Sequence, residues 1–221
     1  MKPPSLRTNR LLLRRWTDRD RAPFADINAD PEVMRYRLAP LSRHESDKLI
    51  EEIEACFHQN GFGLWAVERS DDGRLLGFTG LAVSDFDAPF CPAIDIGWRL
   101  ARDAWGHGFA TEAALASLDF AFNELRLTEV VAHTTSVNEP SQAVMRRIGM
   151  THDPADDFDG PWYPAGHPLR RFVLYRIKAP DWRLCEGRST LPLFRQPTRG
   201  LYVSSGRICQ GRRGVNRVRR W

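Results

Sequence analysis

The amino-acid sequence predicts a mixed α+β (α/β) domain built on one central sheet, with helices covering both of its faces. One observation is a hairpin pattern, in which two apolar runs over 64–69 and 75–83 flank the turn Asp71-Asp72-Gly73. A second is the order of elements, because helical periodicity precedes the hairpin and alternates with single strands after it. These patterns indicate one domain around one central sheet.

The segment before the hairpin predicts one strand and three helical stretches. Residues 10–16 have the pattern of a strand, and the following Thr-Asp pair is suited to cap a helix over 20–28. Residues 31–36 predict a short helical turn. Apolar side chains at helical spacing predict a longer helix over 42–59, which ends at a glycine.

The segment after the hairpin alternates between strands and helices. Residues 93–100 predict a strand that forms an antiparallel set with the hairpin, and its interior Gly97 suggests a bulge or a close backbone approach. The remaining elements are predicted as a helix over 111–125, a strand over 129–135, a helix over 140–148 and a strand over 169–177.

Composition indicates a globular protein without membrane-spanning segments. The 221 residues suffice for one domain with an appendage, and the 42% hydrophobic and 27% charged shares are close to the globular average. No apolar run reaches the roughly 20 residues of a membrane helix, and the start has no secretory h-region. We therefore expect a cytoplasmic protein that does not bind membranes.

Four cysteines are scattered over the chain, at positions 56, 91, 185 and 209, without a C-x-x-C pair. This spacing argues against a zinc site and against a disulfide framework. We expect free thiols and no bound metal.

A change in charge marks the predicted domain boundary. Residues 182–221 contain ten arginines and a single acidic residue, whereas the first 181 residues carry more acidic than basic side chains. The basic segment is also rich in Gly and Pro and has little periodicity, which is typical of poorly ordered chain. The sequence thus predicts a folded domain over 1–181 and a basic tail over 182–221.

The segment between the strand at 93–100 and the following helix carries the pattern with the clearest chemistry. It contains Trp105-Gly106-His107-Gly108. Free backbone N–H groups and the dipole at a helix N-terminus favour anions, and glycines let phosphate oxygens come close. Thr111 replaces the third glycine of a dinucleotide fingerprint, and the G-K-[ST] ending of a P-loop is missing, which excludes both classes. A tight turn without a ligand is the structural alternative.

Several motifs in chain order resemble the GNAT superfamily of N-acetyltransferases, and within it the branch of ribosomal-protein N-terminal alanine and serine acetyltransferases. The similarity covers about residues 8–178. It rests on the segments 10–14, 77–81, 95–100 and 105–113, on Asn138 and Ser141, and on Arg147-Ile148-Gly149-Met150. The resemblance implies an acyl-CoA N-acyltransferase fold with a central, mostly antiparallel sheet that splays at the cofactor slot. It also implies acetyl transfer from acetyl-CoA to a primary amine, with coenzyme A as product.

The resemblance implies where acetyl-CoA is held. The strand at 96–100 is expected to splay from the strand at 130–135, with Gly97 at a bulge and the backbone N–H near Trp98 polarising the thioester carbonyl. Asp103 stands where the superfamily often has Gln or Arg, so we expect weaker cofactor binding, with Arg102 supplying positive charge. The implied cofactor-binding residues are Trp98, Leu100, Arg102, Trp105, Gly106, His107, Gly108, Ala110, Thr111, Asn138 and Ser141.

Three residues are candidates for catalytic proton transfer. The resemblance places Ser141 to protonate the departing coenzyme A thiolate. Asp95 and His133 are alternative bases for the attacking ammonium, and the ordinary histidine pKa of about 6.5 suits neutral pH. Each has a structural alternative: Asn138 or Ser141 as a helix cap, His133 as a hydrogen-bonded strand residue, and Asp95 as the partner of an arginine. We interpret Glu112, at the start of a helix, as structural.

The acceptor side is less defined. We expect Trp162, Tyr163 and His167 to line it, and we expect the acceptor to be a small-molecule or peptide amine. A homodimer is a further expectation. Two other functions stay open: a non-catalytic acetyl-CoA-binding module, and a ribosome-associated or nucleic-acid-associated protein that acts through its arginine-rich tail.

Overall fold

The computed structural model describes residues 5–186, which form a nine-stranded sheet and six α-helices. The strands are β1 Leu6–Arg7, β2 Leu11–Arg14, β3 Leu64–Arg69, β4 Leu75–Ser84, β5 Ala93–Leu100, β6 Glu129–Thr135, β7 Thr151–His152, β8 Phe158–Asp159 and β9 Arg171–Lys178. The helices are α1 Arg21–Ala29, α2 Pro31–Met34, α3 Arg43–Asn60, α4 Phe109–Asp119, α5 Glu139–Arg147 and α6 Ala179–Glu186. The predicted α+β class is confirmed.

The sheet is antiparallel except where β5 meets β6. Its order is β1-β2-β3-β4-β5-β6-β9-β7, and β8 pairs with β9. Between β5 and β6, both within the described part of the chain, a single residue pair is in register, Asp95 with Val131. The two parallel strands therefore diverge beyond this pair, which confirms the predicted splay of the sheet.

Gly97 does not form the predicted bulge. The register between β4 and β5 is unbroken from Gly77–Leu100 to Ser84–Ala93, with Gly97 opposite Gly80. A Cβ added to Gly97 would meet no atom within 4 Å, so no backbone approaches closely either. Both expectations for this residue were wrong, because the strands separate through the lost pairing of β5 with β6 and not through an inserted residue.

Opposite faces of the sheet are covered by different helices. Trp65 and Phe78 point to opposite faces, because Trp65 pairs with Thr79, the neighbour of Phe78. The Trp65 ring lies 5.3 Å from Phe120, in a π-helical turn that continues α4, and the Phe78 ring lies 6.0 Å from Phe24 of α1. The core is thus divided between two layers, as the sequence predicted.

The last described helix crosses the predicted domain boundary. Helix α6 runs from Ala179 to Glu186 across the expected boundary between residues 181 and 182, and Trp182 is buried against Phe122 with ring centroids 5.9 Å apart. The ordered domain therefore extends past the residue at which the charge changes. The expected poor order of the remaining tail falls on residues outside the described part of the chain.

Three short strands were not predicted, namely β1, β7 and β8. Each has two residues, which is too few to show a period in the sequence. Helix α4 begins at Phe109, two residues before the predicted start, because Gly108 already supplies the turn. Among the described helices, none is long and apolar enough to cross a bilayer.

Candidate functional site

A cleft of about 1460 Å³ opens where β5 and β6 diverge. It is lined both by the N-terminal turn of α4 and by Trp162 of the loop before β9. The residues that the sequence predicted for the site and that line this cleft are Asp95, Trp98, Leu100, Trp105, Gly106, Gly108, Ala110, His133, Asn138, Ser141 and Trp162. The fold thus brings most of the predicted site together in one space.

Several predicted site residues do not line the cleft. Arg102 is exposed, and Thr111 lies in the first turn of α4 without facing the cleft. His107 lines a separate small hollow, and its carbonyl accepts a hydrogen bond from Arg10 Nη1 at 2.9 Å. Tyr163 and His167, expected on the acceptor side, are also absent from the lining.

Two glycines shape the turn that enters α4. Gly106 and Gly108 have φ of 79° and 78°, in the left-handed region that side chains disfavour. Gly108 is the N-cap, and no side chain caps the helix. The first amides of α4 are therefore left for another acceptor. The Trp105 indole donates to Leu100 O at 2.9 Å, which holds the turn against the end of β5.

The turn fits a bound diphosphate. A Cβ added to Gly106 would meet no atom within 4 Å, and one added to Gly108 would meet Arg10 Nη2 at 3.6 Å. Open space in front of uncapped helix amides is what an anion needs in order to approach the backbone. The residues present thus fit the phosphate end of acetyl-CoA.

Backbone N–H groups of β5 face the gap. Ala101 N–H donates to Leu76 O at 2.8 Å, which fixes the phase of the β4–β5 ladder. Because hydrogen-bonded and non-bonded pairs alternate in antiparallel strands, the N–H groups of Trp98 and Leu100 point away from β4. They are directed towards the side on which β6 has diverged. The resemblance assigned Trp98 a donor role, and this geometry is compatible with it.

Asp103 is partnered within the protein. Its Oδ2 lies 2.5 Å from Arg74 Nη2, and Asp103 lines the small hollow rather than the cleft. A guanidinium therefore lies beside the carboxylate charge, and the expected weaker cofactor binding stays a prediction. Arg102, which was expected to compensate, does not line the cleft.

Glu112 ties the start of the chain to the turn. Its carboxylate accepts hydrogen bonds from Thr8 Oγ1 at 2.6 Å, Arg10 N at 3.0 Å and Arg10 Nε at 2.6 Å. The same Arg10 holds the His107 carbonyl and lies 4.6 Å above the Phe109 ring. These contacts bear out the interpretation of Glu112 as a structural residue.

Replacing Glu112 with alanine is expected to lower the free energy of unfolding by about 2 kcal/mol, because hydrogen bonds to a charged group are lost. Urea denaturation measures the effect. Glu124→Ala, at an exposed position in the π-helical turn that follows α4, is the matched control and is expected to change stability by less than about 0.5 kcal/mol. Equal stability of the two variants would contradict a structural role for Glu112.

Asn138 and Ser141 were each considered as a helix cap or as a ligand-binding residue. Asn138 is the N-cap of α5: its Oδ1 accepts from Ser141 N at 3.3 Å and its Nδ2 donates to Thr134 Oγ1 at 2.9 Å. These two bonds use one N–H and one lone pair of the amide, so its second N–H and second lone pair stay available to a ligand. Ser141 does not cap the helix but lines the cleft. The proposed ligand contacts of both stay predictions.

Asp95 lies at the point where β5 and β6 diverge. It is buried, and its Oδ1 accepts a hydrogen bond from Ser84 Oγ at 2.8 Å. Arg37 lies close enough for the two charges to interact: burial lowers the pKa of Arg37, and the charges of Tyr163 and Asp95 act in the opposite direction. The alternative of Asp95 as an arginine partner is thus supported by the interaction of the two charges, and its role as a base stays a prediction.

His133 lies in an aromatic cluster on the facing strand. Its ring is stacked on Trp162, with centroids 6.0 Å apart and an interplanar angle of 14°. The other rings within about 6 Å belong to Phe86, Phe90, Phe158 and Phe172. An aromatic wall therefore surrounds the second candidate base at the acceptor end of the cleft.

Sequence reasoning did not assign several arginines of the cleft to the site, among them Arg37 and Arg99. Arg99 carried a signal, because it is a charged residue inside the otherwise apolar strand end Ile96–Leu100. Arg37 carried none, since it lies in the irregular segment after α2 and reaches the cleft only through tertiary packing.

Comparison with known proteins gives a family match. Residues 10–151 match the family described as acetyltransferase (GNAT) domain. The chain is also similar to FsC-acetyl coenzyme A-N(2)-transacetylase of Aspergillus fumigatus, with 32% identity over 156 residues, which is 67% of this chain and 66% of the relative.

Solved structures show the same fold. An acetyltransferase from Agrobacterium tumefaciens is 30% identical, with a TM-score of 0.64 over 79% of this chain and 94% of its own. Mycobacterium smegmatis RimJ, solved with CoA-disulfide, is 19% identical, with a TM-score of 0.66 over 84% of this chain and 95% of its own. With the family match over most of the domain, the splayed sheet and the cleft at the start of α4, the chain belongs to the acetyltransferase (GNAT) domain family and is an acetyltransferase.

Proposed function

We propose that the chain transfers an acetyl group from acetyl-CoA to a primary amine by direct attack in a ternary complex. The observation that carries this proposal is one continuous cleft that joins the uncapped N-terminus of α4 to the gap between β5 and β6. A long donor with a phosphate end and a thioester end needs such a path. Two relatives support this donor. The name of the Aspergillus relative includes acetyl coenzyme A, and RimJ was solved in complex with CoA-disulfide.

The phosphate end is held by main-chain groups. The amides that follow Gly106 and Gly108 accept a diphosphate without a charged side chain. Arg147 of α5 lines the same cleft and adds a positive charge. The second N–H and the second lone pair of the Asn138 amide are available to the amides of the pantetheine arm.

The reacting end is held between β5 and β6. Acetyl-CoA supplies a thioester whose carbonyl carbon is open to attack by an amine. The Trp98 N–H is the donor for the carbonyl oxygen, where negative charge develops. Ser141 delivers a proton to the departing sulfur, and Asp95 or His133 removes one from the attacking ammonium. The protein forms no covalent bond with the acetyl group in this scheme.

The acceptor is an amine on a small molecule or on a protein N-terminus. Protein N-termini are the acceptors of the ribosomal-protein acetyltransferases that the sequence resembles. The cytoplasm is the proposed location, and a homodimer is the proposed assembly. The alternative role of the arginine-rich tail falls on residues outside the described part of the chain.

A thiol-release assay with acetyl-CoA tests the proposal over free amino acids, polyamines, aminoglycosides and N-terminal peptides. We expect release that depends on one class of amine, and initial-rate patterns that intersect, as a ternary complex requires. Parallel patterns would indicate a covalent intermediate and contradict direct attack. No release with any amine would overturn the proposed reaction.

Ser141→Ala is expected to lower kcat about 10-fold to 10²-fold while leaving the Kd for coenzyme A nearly unchanged. General-acid groups typically contribute 10²–10⁴-fold, and a thiolate needs less help than an alkoxide. Steady-state kinetics and calorimetry measure the two quantities. The control is Ser70→Ala at an exposed position after β3, which is expected to match the wild type. An unchanged kcat in Ser141→Ala would remove this residue from the proton-transfer scheme.

A further inference from the structure

Arg99 is a charged residue in a buried position. It lies in β5 next to Trp98, it is 8% exposed, and it lines the cleft. Burial of a guanidinium costs several kcal/mol unless an anion offsets it. The position therefore requires an explanation beyond sheet packing.

The partners of Arg99 within residues 5–186 are neutral. Its Nη1 donates to Asn28 Oδ1 at 2.6 Å, and its guanidinium lies 5.3 Å from the Phe78 ring centroid. Asn28 is itself fully buried and donates to Ser46 Oγ at 2.8 Å. These contacts fix the direction of the guanidinium, but none of them supplies a negative charge.

Arg37 brings a second guanidinium to the lining of the same cleft. Burial, and then the neighbouring charge of Arg37, lower the pKa of Arg99 well below its ordinary value. Asp95 is close to Arg37 and acts on its pKa in the opposite direction. Of the other acidic residues in the lining, Glu32 pairs with Arg35 at 3.5 Å and Asp85 is exposed. An anion placed between the two arginines would offset the repulsion that the protein leaves at Arg99.

The location of the pair selects the kind of anion. Arg37 and Arg99 line the cleft together with Asp95 and His133, the two candidate bases, so an anion bound by the pair shares the cleft with the acceptor. Arginine forms short, directional, often bidentate hydrogen bonds with carboxylates. We propose that Arg37 and Arg99 form a carboxylate-binding subsite, so that the acceptor is an amine that also carries a carboxylate. This inference rests on the proposed function and adds the substrate class.

Matched acceptors test the subsite in the full-length enzyme. Leucine is compared with isoamylamine, and phenylalanine with phenethylamine, because the members of each pair differ by the carboxylate. Amidated peptides that begin with aspartate or asparagine distinguish a carboxylate within a peptide from that of a free amino acid. We expect a higher kcat/KM for the carboxylated member of at least one pair.

Variants then assign the preference to the arginines. Arg99→Met and Arg37→Met are expected to reduce the carboxylate preference about 10-fold or more, since hydrogen bonds between charged groups are lost. The change in the ratio is the readout, because differences in amine basicity cancel between wild type and variant. Arg37 is only half-buried, so Arg37→Met can be measured in place of Arg99→Met if the latter does not fold. Arg43→Met, an exposed ion-paired position on α3, is the control and is expected to keep the wild-type ratio.

Two outcomes overturn the inference and leave acetyl transfer intact: equal use of both members of every pair, or a preference that survives in both arginine variants. Failure of the proposed function looks different, because no amine is then acetylated. In that case the melting temperature of the coenzyme A complex tests the subsite without turnover. Leucine is expected to raise this temperature in the wild type and not in the arginine variants. Absence of that shift would also overturn the subsite.

Discussion

Gly108→Trp is expected to weaken coenzyme A binding by 10²-fold or more, which corresponds to a loss of about 2.7 kcal/mol or greater. Gly108 is the N-cap of α4 with φ of 78°, it lines the cleft, and an added Cβ would lie 3.6 Å from Arg10 Nη2. An indole at this position is expected to crowd the first turn of the helix, whose amides are the groups proposed to hold the diphosphate. Calorimetric titration with coenzyme A measures the loss.

A second glycine separates this effect from backbone strain. Gly73, in the β3–β4 turn, has φ of 70°, and an added Cβ there would meet no atom within 4 Å. Gly73→Trp therefore carries a similar left-handed strain, about 1–2 kcal/mol, without touching the cleft. We expect the two variants to lose similar stability and only Gly108→Trp to lose binding. Full affinity in Gly108→Trp would place the diphosphate elsewhere.

The sequence predicted those parts of the fold that depend on patterns of neighbouring residues. Strand β5 and strand β6 were predicted at their observed bounds, because apolar periodicity and the following turn residues define them. The Trp105–Gly108 turn was predicted because left-handed glycines before a helix have a specific local use.

The parts that sequence missed depend on tertiary contacts. Gly97 was expected to open the sheet by a bulge, but the opening comes from the divergence of β5 from β6, which no single residue encodes. Arg37 lies in an irregular segment and Arg99 in a strand, and more than sixty positions separate the two residues in the sequence. Their charges nevertheless interact. Trp182 looked like the start of a tail because charge changes there, yet it is buried in the core. Composition locates a change in charge, not the last residue that packs.

A buried ion pair joins β2 to the turn before α1. Asp20 is 2% exposed, and its two carboxylate oxygens accept from Arg14 Nη1 at 2.7 Å and Arg14 Nη2 at 2.8 Å. Thr17 N and Thr17 Oγ1 each donate to Oδ2 at 2.8 Å. Burial acts to raise the pKa of Asp20, but the hydrogen bonds from Arg14 and Thr17 outweigh it and hold the pKa below its ordinary value.

Asp20→Asn is expected to lower the free energy of unfolding at pH 7 by about 3 kcal/mol. Removing one partner of a buried pair typically costs 3–5 kcal/mol, and the low end applies because Arg14 keeps a hydrogen bond to Glu68 at 2.7 Å. The remaining guanidinium would then face an amide that cannot match its charge. Urea denaturation at several pH values measures the loss.

The pH dependence of that loss identifies its source. Because the pKa of Asp20 is lower in the folded than in the unfolded state, its contribution is complete above the unfolded value of about 3.9 and disappears as pH falls through the folded value. The stability difference between wild type and Asp20→Asn should therefore narrow in acid. Glu52→Gln removes the exposed Lys48–Glu52 contact at 3.9 Å and should cost less than about 0.5 kcal/mol at any pH. A constant difference between wild type and Asp20→Asn down to pH 2 would mean that the side chain stabilises the fold through its shape and hydrogen bonds, not through its charge.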